Sequence, residues 1–329
     1  MRAACFDKTG PALEVLQRVE LPVPTPGPGE VLVRVHASGV NPVDVKTRSG
    51  SRGGALPFPR IVPHSDGAGV IEALGKGVPP HRLGERVWLW NCCWGRAHGT
   101  AADYVAVPTA MAVPLPDNTS FAAGACLGIP ALTAWHAVAM DGGVAGKSVL
   151  VAGGAGAVGH YAIQFARATG ARQVITSISS PAKATIARAA GADLALNYRA
   201  PGFVDEVLAA TGGLGVDRVI EVDGHANREI NPALLRAEGD VVVYGSGAPE
   251  VAVPFRPSIL KNLRYRFFIV FNLTAQDRAA AHAGVTRLLV AGSLQHHLGP
   301  SFTLEGIAEA HLAVERGALG NVVVNVSPA

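Results

Sequence analysis

The chain has 329 residues, 49% of them hydrophobic and 16% charged, with a formal net charge of +3. That balance excludes a disordered chain, and it is too nearly neutral for a dedicated nucleic-acid or membrane surface. At roughly 100–200 residues per domain, the length predicts two domains.

The opening MRAACFD runs into strand-like sequence without the charged and apolar regions of a signal peptide, and no apolar run reaches membrane-spanning length. The expectation is a soluble, cytoplasmic protein. Cys5, Cys92, Cys93 and Cys126 show no disulfide-framework spacing and read as free thiols. Cys92 and Cys93, with His98 nearby, lie among Trp88, Trp90 and Trp94 and read as small apolar residues rather than metal ligands.

From residue 1 to about 118 the chain is a series of short strands at 3–6, 31–35, 69–74, 86–89 and 104–107. Glycine and proline separate them, most densely in PVPTPGPGE at 22–30. Without βαβ alternation, this predicts a mostly β domain folded as a partly open barrel. Ser120 reads as the N-cap of a helix over 122–125, and after Pro130 the helical pattern resumes over 132–139.

From 149 to 246 the two periods alternate. Strands are predicted at 149–152, 174–178, 193–196, 217–222 and 241–245, with helices at 158–168, 181–190, 203–210 and 227–236. The pattern is α/β, a Rossmann doubly wound parallel sheet whose ligand crevice lies at the carboxyl ends of the strands. A strand at 265–271, a helix capped by Thr274 and running to 290, a helix at 304–316 and a strand at 321–326 follow. The last segment is expected to return to the β domain. The predicted division is therefore 1–118, completed by about 267–329, and a nucleotide domain at 119–266.

Within KSVLVAGGAGAVGHYAIQFARATG at 147–170, Gly154, Gly156 and Gly159 stand in G-x-G-x-x-G spacing between a buried strand and a helix. Glycines there let the turn close and let backbone N–H groups approach a pyrophosphate at the positive end of the helix. NAD-binding versions carry an acid on the second strand for the ribose 2′-hydroxyl. Here the strand VITSI runs into Ser179, Ser180, Pro181, Ala182 and Lys183, with no carboxylate. Two hydroxyls, a helix start and a cation suit a 2′-phosphate, so the predicted cofactor is NADPH.

Taken together, the residues resemble the zinc-free branch of the medium-chain dehydrogenase/reductase superfamily, in the zeta-crystallin-like quinone oxidoreductase family. The resemblance rests on HASGVNPVDVKTRSG at 36–50, PHSDGAGVIEALG at 63–75, GERVW at 84–88, HGTAADYVAVP at 98–108 and GIPALTAWHA at 128–137. It continues through the glycine turn, NYR at 197–199 and VVVYGS at 241–246, nearly the whole chain. It implies that the β domain is GroES-like and the protein a homodimer. Zinc-dependent relatives place a cysteine, a histidine and a cysteine where this chain has Asn41, Ser65 and Pro130, with His64 displaced by one. The resemblance therefore implies no metal at the site.

Carried onto matching positions, it implies that Ala155, Gly156, Ala157 and Val158 form the pyrophosphate turn and that Ser179, Lys183 and Tyr198 surround the adenosine end. Asn227 and Val243, Tyr244, Gly245 and Ser246 would line the ribose and nicotinamide, with Val270, Phe271 and Asn272 closing over them. Asn41 and Thr133 would face the reacting ring, and Asn321 stands where many relatives carry a lysine near the cofactor. The implied activity is hydride transfer from NADPH to a quinone. Asn41 is the candidate that orients the acceptor carbonyl, with Lys46 or Arg52, from the loop that also carries Arg48, favouring the oxyanion. Solvent can supply the proton. Lys46 and Arg52 equally fit as solvated surface charges, and Asp44 as a residue that holds the loop. The alternatives are reduction of an enone or enoyl-thioester C=C bond, and a non-catalytic NADPH-binding protein of crystallin-like or RNA-binding type. The weak, unclustered basicity argues against the RNA role.

Overall fold

A computed structural model describes residues 1–51, 53 and 55–327. In chain order the elements begin with β1 (Arg2–Cys5), α1 (Ala12–Val15), β2 (Gln17–Glu20), β3 (Glu30–Val40), α2 (Pro42–Ser49), β4 (Asp66–Leu74), β5 (Arg86–Leu89), β6 (Tyr104–Pro108), β7 (Ala112–Pro114), α3 (Phe121–Gly124) and α4 (Leu132–Ala139). They continue with β8 (Ser148–Val151), α5 (Ala157–Ala168), β9 (Gln173–Ile178), α6 (Pro181–Ala189), β10 (Leu194–Asn197), α7 (Phe203–Ala210), β11 (Val216–Glu221), α8 (Asn231–Leu234) and β12 (Leu235–Val243). The last are α9 (Phe255–Leu260), β13 (Arg264–Phe267), α10 (Ala275–Val290), β14 (Leu298–Thr303), α11 (Ile307–Glu315) and β15 (Asn321–Asn325). The chain forms two compact units, one of Met1–Pro130 with the segment from Thr286 onward, the other Ala131–Val285.

The first unit is built on β3, eleven residues long and buried along most of its length. It pairs antiparallel with β4, β6 and β15 in a sheet ordered β14-β15-β3-β4-β5-β7. Pairing of β15 with β3 brings the C-terminal segment into the N-terminal sheet. Val31, Val33, Val35, Val87, Val105 and Val107 fill the core by period-two alternation. The unit keeps residues up to Pro130, past the 118 read from the sequence, because α3 packs on β3 and β4.

The second unit is a six-stranded parallel sheet ordered β10-β9-β8-β11-β12-β13. β8 is buried at all four positions, as a strand covered on both faces must be. The order reverses direction between β8 and β11, and the crevice at such a switch point is where doubly wound sheets bind ligands. Arg218 on β11 is fully buried and donates to Asp240 Oδ2 at 3.2 Å and to the carbonyls of Val138 and Met140 at 3.1 and 3.0 Å. One side chain thus satisfies the open C-terminal end of α4 and ties it to two strands.

Three elements differ from expectation. The segment after Asn41 is the helix α2, not a loop: Pro42 stands in its first turn and the Asp44 side chain takes the Asn41 N–H at 2.8 Å. The predicted helix 227–236 shrinks to the single turn α8, because Pro232 can start a helix but not continue one, and β12 begins at Leu235 to pair with Val216. The strand predicted at 265–271 ends at Phe267, and Val270–Asn272 forms a 3-10 turn. No helix among the described residues is long and apolar enough to cross a membrane.

Candidate active site

The glycine turn sits between β8 and α5, at the carboxyl end of the strand. Its glycines do different work. A Cβ on Gly154 would lie 2.1 Å from Thr176 Oγ1, and one on Gly159 would lie 2.3 Å from the Gly153 carbonyl oxygen. Both seal the helix against the strands. A Cβ on Gly156 would meet only the Gly153 oxygen, at 3.2 Å, so the side of the turn at the helix start is open. Ala155 is buried, and Gly156, Ala157 and Val158 lead into the first turn of α5, whose leading N–H groups have no intrahelical acceptor. An open backbone cradle with outward donors fits a pyrophosphate.

Ser179 and Ser180 end β9, and the Ser180 side chain caps α6 by accepting the Lys183 N–H. Lys183 Nζ donates to Ser179 Oγ at 3.0 Å. Tyr198 is 46% exposed, its N–H bonds the Ile178 carbonyl at 3.1 Å, and the Arg199 guanidinium lies 5.5 Å from its ring centre. The structure therefore brings Ser179, Lys183 and Tyr198 to the same ends of β9 and β10, with Arg199 as a second cation beside them.

At the ends of β11 and β12, the buried Glu221 accepts from Asn227 Nδ2 at 2.9 Å and from the Asp223 N–H at 2.7 Å. Tyr244 N–H bonds the Glu221 carbonyl at 3.1 Å and Gly224 N–H bonds the Gly245 carbonyl at 3.0 Å. Asn227 and the segment 243–246 thus form one zipped rim. Val243, Tyr244, Gly245, Ser246 and Asn272 line one cavity of about 840 Å³, with His136 of α4. Val270 and Phe271 are buried in the adjoining turn. Thr133 is on the first turn of α4 and 5% exposed.

In the first unit Asn41 is 5% exposed where β3 passes into α2. Its Nδ2 donates to Asp66 Oδ2 at 2.9 Å. Asp44, buried beneath it, has a carboxyl raised to about 7 by burial, opposed by N–H donation from Asn41 and His64. Lys46 is exposed on α2, whereas Arg48 on the same helix is 1% exposed and paired with Glu315 of α11. Arg52 lies outside the described residues. Asn321 is buried and donates its amide to the His297 carbonyl at 3.1 Å, a contact within its own unit.

A directed chain of hydrogen bonds lies behind Asn41. Thr100 Oγ1 donates to the Asp66 carbonyl at 2.5 Å and so takes its own bond from Ser38 Oγ, 2.7 Å away. Ser38, its proton spent, accepts from His64 Nδ1 at 2.8 Å, and His64 Nε2 is left to accept from His311 Nε2 at 3.0 Å. The His64 imidazole is thereby held neutral, and burial moves both rings away from the charged form, His311 down to about 3. His64 adopts φ +77° to enter this chain. Burial pushes the Cys93 thiol up to about 12 and those of Cys92 and Cys126 higher. Among the described residues no group of three or more His, Cys, Asp or Glu could hold a metal ion.

Sequence reasoning missed Asp66 and Glu221, which hold Asn41 and Asn227. The only signal for either is an acid at the end of a strand, Asp66 opening β4 and Glu221 closing β11, which is weak without the register.

Residues 27–117 match the family profile described as alcohol dehydrogenase GroES-like domain, and 157–285 that described as zinc-binding dehydrogenase. A human quinone oxidoreductase is 33% identical over 323 residues, covering 97% of this chain and 95% of its own. A solved structure described as an NAD-dependent alcohol dehydrogenase is 33% identical with a TM-score of 0.89, covering 99% of this chain and 100% of its own. The Escherichia coli quinone oxidoreductase complexed with NADPH is 25% identical with a TM-score of 0.87, covering 99% of this chain and 100% of its own.

Proposed function

The chain belongs to the medium-chain dehydrogenase/reductase superfamily, in its quinone oxidoreductase family, and on that premise we propose that it transfers hydride from NADPH to a quinone-type carbonyl without a metal ion. The observation that carries the cofactor choice is the end of β9, where Lys183 reaches Ser179 at 3.0 Å and no carboxylate stands. An acid there would repel a 2′-phosphate. The quinone acceptor rests on the relatives, and the metal-free reading on a carboxamide, Asn41, committed to the Asp66 carboxyl where the zinc-dependent relatives carry a thiolate.

When bound, NADPH supplies the hydride. The glycine turn and the first turn of α5 hold its pyrophosphate, Ser179 and Lys183 the 2′-phosphate, and Asn227 with 243–246 the ribose and nicotinamide. Asn41 donates an amide N–H to the acceptor carbonyl and stabilises the oxygen as charge develops on it. Lys46, exposed on α2, and Arg52 are the cations proposed to favour that charge, and solvent returns the proton. The protein is proposed to act as a homodimer. β13 is the outer strand of its sheet, and Phe255, Leu260 and Phe267 beside it are 75%, 73% and 56% exposed.

The test is steady-state turnover of protein dialysed against chelator, with NADPH and NADH, across a quinone panel and an enone panel. Quinone-dependent NADPH oxidation balanced by hydroquinone is expected. Turnover confined to enones, or lost on chelation and restored by zinc, refutes the proposal.

A further inference from the structure

Asp66 is an expensive residue to place where it is. It is fully buried at the first position of β4, and burial raises its carboxyl well above the ordinary carboxylate range. Oδ2 accepts two hydrogen bonds, from Asn41 Nδ2 at 2.9 Å and from the Ile129 N–H at 2.8 Å. Oδ1 has no partner. The surroundings are shaped to admit the carboxyl: a Cβ on Gly128 would lie 2.1 Å from Oδ1, so only glycine fits there. Gly128 and Ile129 belong to the π-helical turn Leu127–Ala131, a backbone irregularity of the kind that collects at functional sites. The Asp66 backbone is pinned in turn, its carbonyl taking the Thr100 hydroxyl at 2.5 Å.

A buried acid with one idle oxygen is a poor way to stabilise a fold, since an apolar side chain would avoid the desolvation cost. What the arrangement does achieve is to fix one amide. An acceptor at Oδ2 decides which end of the Asn41 carboxamide is nitrogen, commits one of its two amide hydrogens, and leaves the second hydrogen and Oδ1 in a set orientation. We propose that Asp66 is a positioning residue for the reaction, holding the Asn41 carboxamide in the single rotamer that presents its free N–H to the acceptor carbonyl. The inference rests on the reading of Asn41 given under Proposed function.

The experiment compares N41A, D66A, D66N and the double variant N41A/D66A, using the full chain with NADPH and a quinone that the wild type turns over. Removing the carboxyl that holds the amide should cost D66A about 10- to 100-fold in kcat. Its Kd for NADPH should stay within about twofold. On the N41A background, Asp66→Ala should cost nothing further, because Asp66 acts only through Asn41. D66N still offers an oxygen to both donors and should keep kcat within about threefold. The second readout needs no turnover: the Asn41 side-chain amide resonances, assigned by their loss in N41A, should show one strongly downfield proton in wild type and D66N, and lose that shift in D66A. Wild-type kcat in D66A, a full additive loss in the double variant, or a loss above about tenfold in D66N would each overturn the inference. If N41A itself keeps wild-type kcat, the reading of Asn41 fails and this inference with it. If N41A loses turnover and D66A does not, only the role of Asp66 fails.

Discussion

Replacing Lys183 by Ala tests the cofactor assignment most directly. The ammonium sits on the first turn of α6, half-buried and already directed at Ser179 Oγ, 3.0 Å away, so it needs little reorganisation to meet a phosphate there. A hydrogen bond to a charged group contributes about 1.5–3 kcal/mol, and partial exposure holds Lys183 to the lower part of that range. The expected cost is about 1.5–2 kcal/mol, a rise of about 10- to 30-fold in Kd for NADPH. NADH lacks the 2′-phosphate, and its Kd should move by less than about twofold. Titration calorimetry with both cofactors at constant ionic strength gives the two numbers. Added salt should narrow the wild-type preference, because a partly exposed contact is screened within about 8 Å at physiological strength. Equal weakening of NADH and NADPH, or no weakening of either, would refute the assignment of Lys183 and with it the reason for choosing NADPH.

Gly159→Ala drives a methyl to 2.3 Å from the Gly153 carbonyl oxygen, a backbone atom that cannot step aside. Urea unfolding should report a loss of about 1–3 kcal/mol, with weakened NADPH binding beside it. Arg218→Met leaves three carbonyl acceptors at the end of α4 without their donor. Asp240, however, keeps Arg264 at 2.6 Å, so the loss should fall near about 3 kcal/mol, the low end for a broken buried pair. His311 is held down to about 3 in the fold and returns to about 6.5 when unfolded, so between those values the unfolded chain carries the extra proton. Its contribution is fully present above pH ~6.5 and is lost on acidification, by about 2 kcal/mol at pH ~5. Asp44 runs the other way. Raised to about 7 from 3.8, it favours the fold at low pH and loses that contribution as pH rises through about 7. The His311 share appears as the difference between wild type and His311→Asn in urea unfolding over pH ~5–6.5, and equal slopes would show that His311 is not held neutral.

Much of the molecule was legible because its signals are local. The glycine turn, the Ser180 cap, the polar end of β9 and the α4 and α7 boundaries each depend on residues within a turn or two of one another, and the parallel sheet follows from the alternation of two periods. α2 was also written locally, in Asn41, Pro42 and Asp44, yet in strand-rich surroundings that signal reads as a loop, and the chain forms a helix there. The segment 227–236 went the other way, its helical composition overruled by Pro232 and by the pairing that β11 demands of Leu235. Asp66 and Asn41 are 25 residues apart, Arg48 and Glu315 are 267 apart, and His64 and His311 are 247 apart. The sequence by itself determined most of the elements, the parallel, doubly wound character of the second unit and the residue types at the cofactor end, because period and backbone sterics act over a few residues. Only the tertiary structure decided which polar side chains lose their water and which partner each must then take, because desolvation is set by whatever the folded sheet brings alongside.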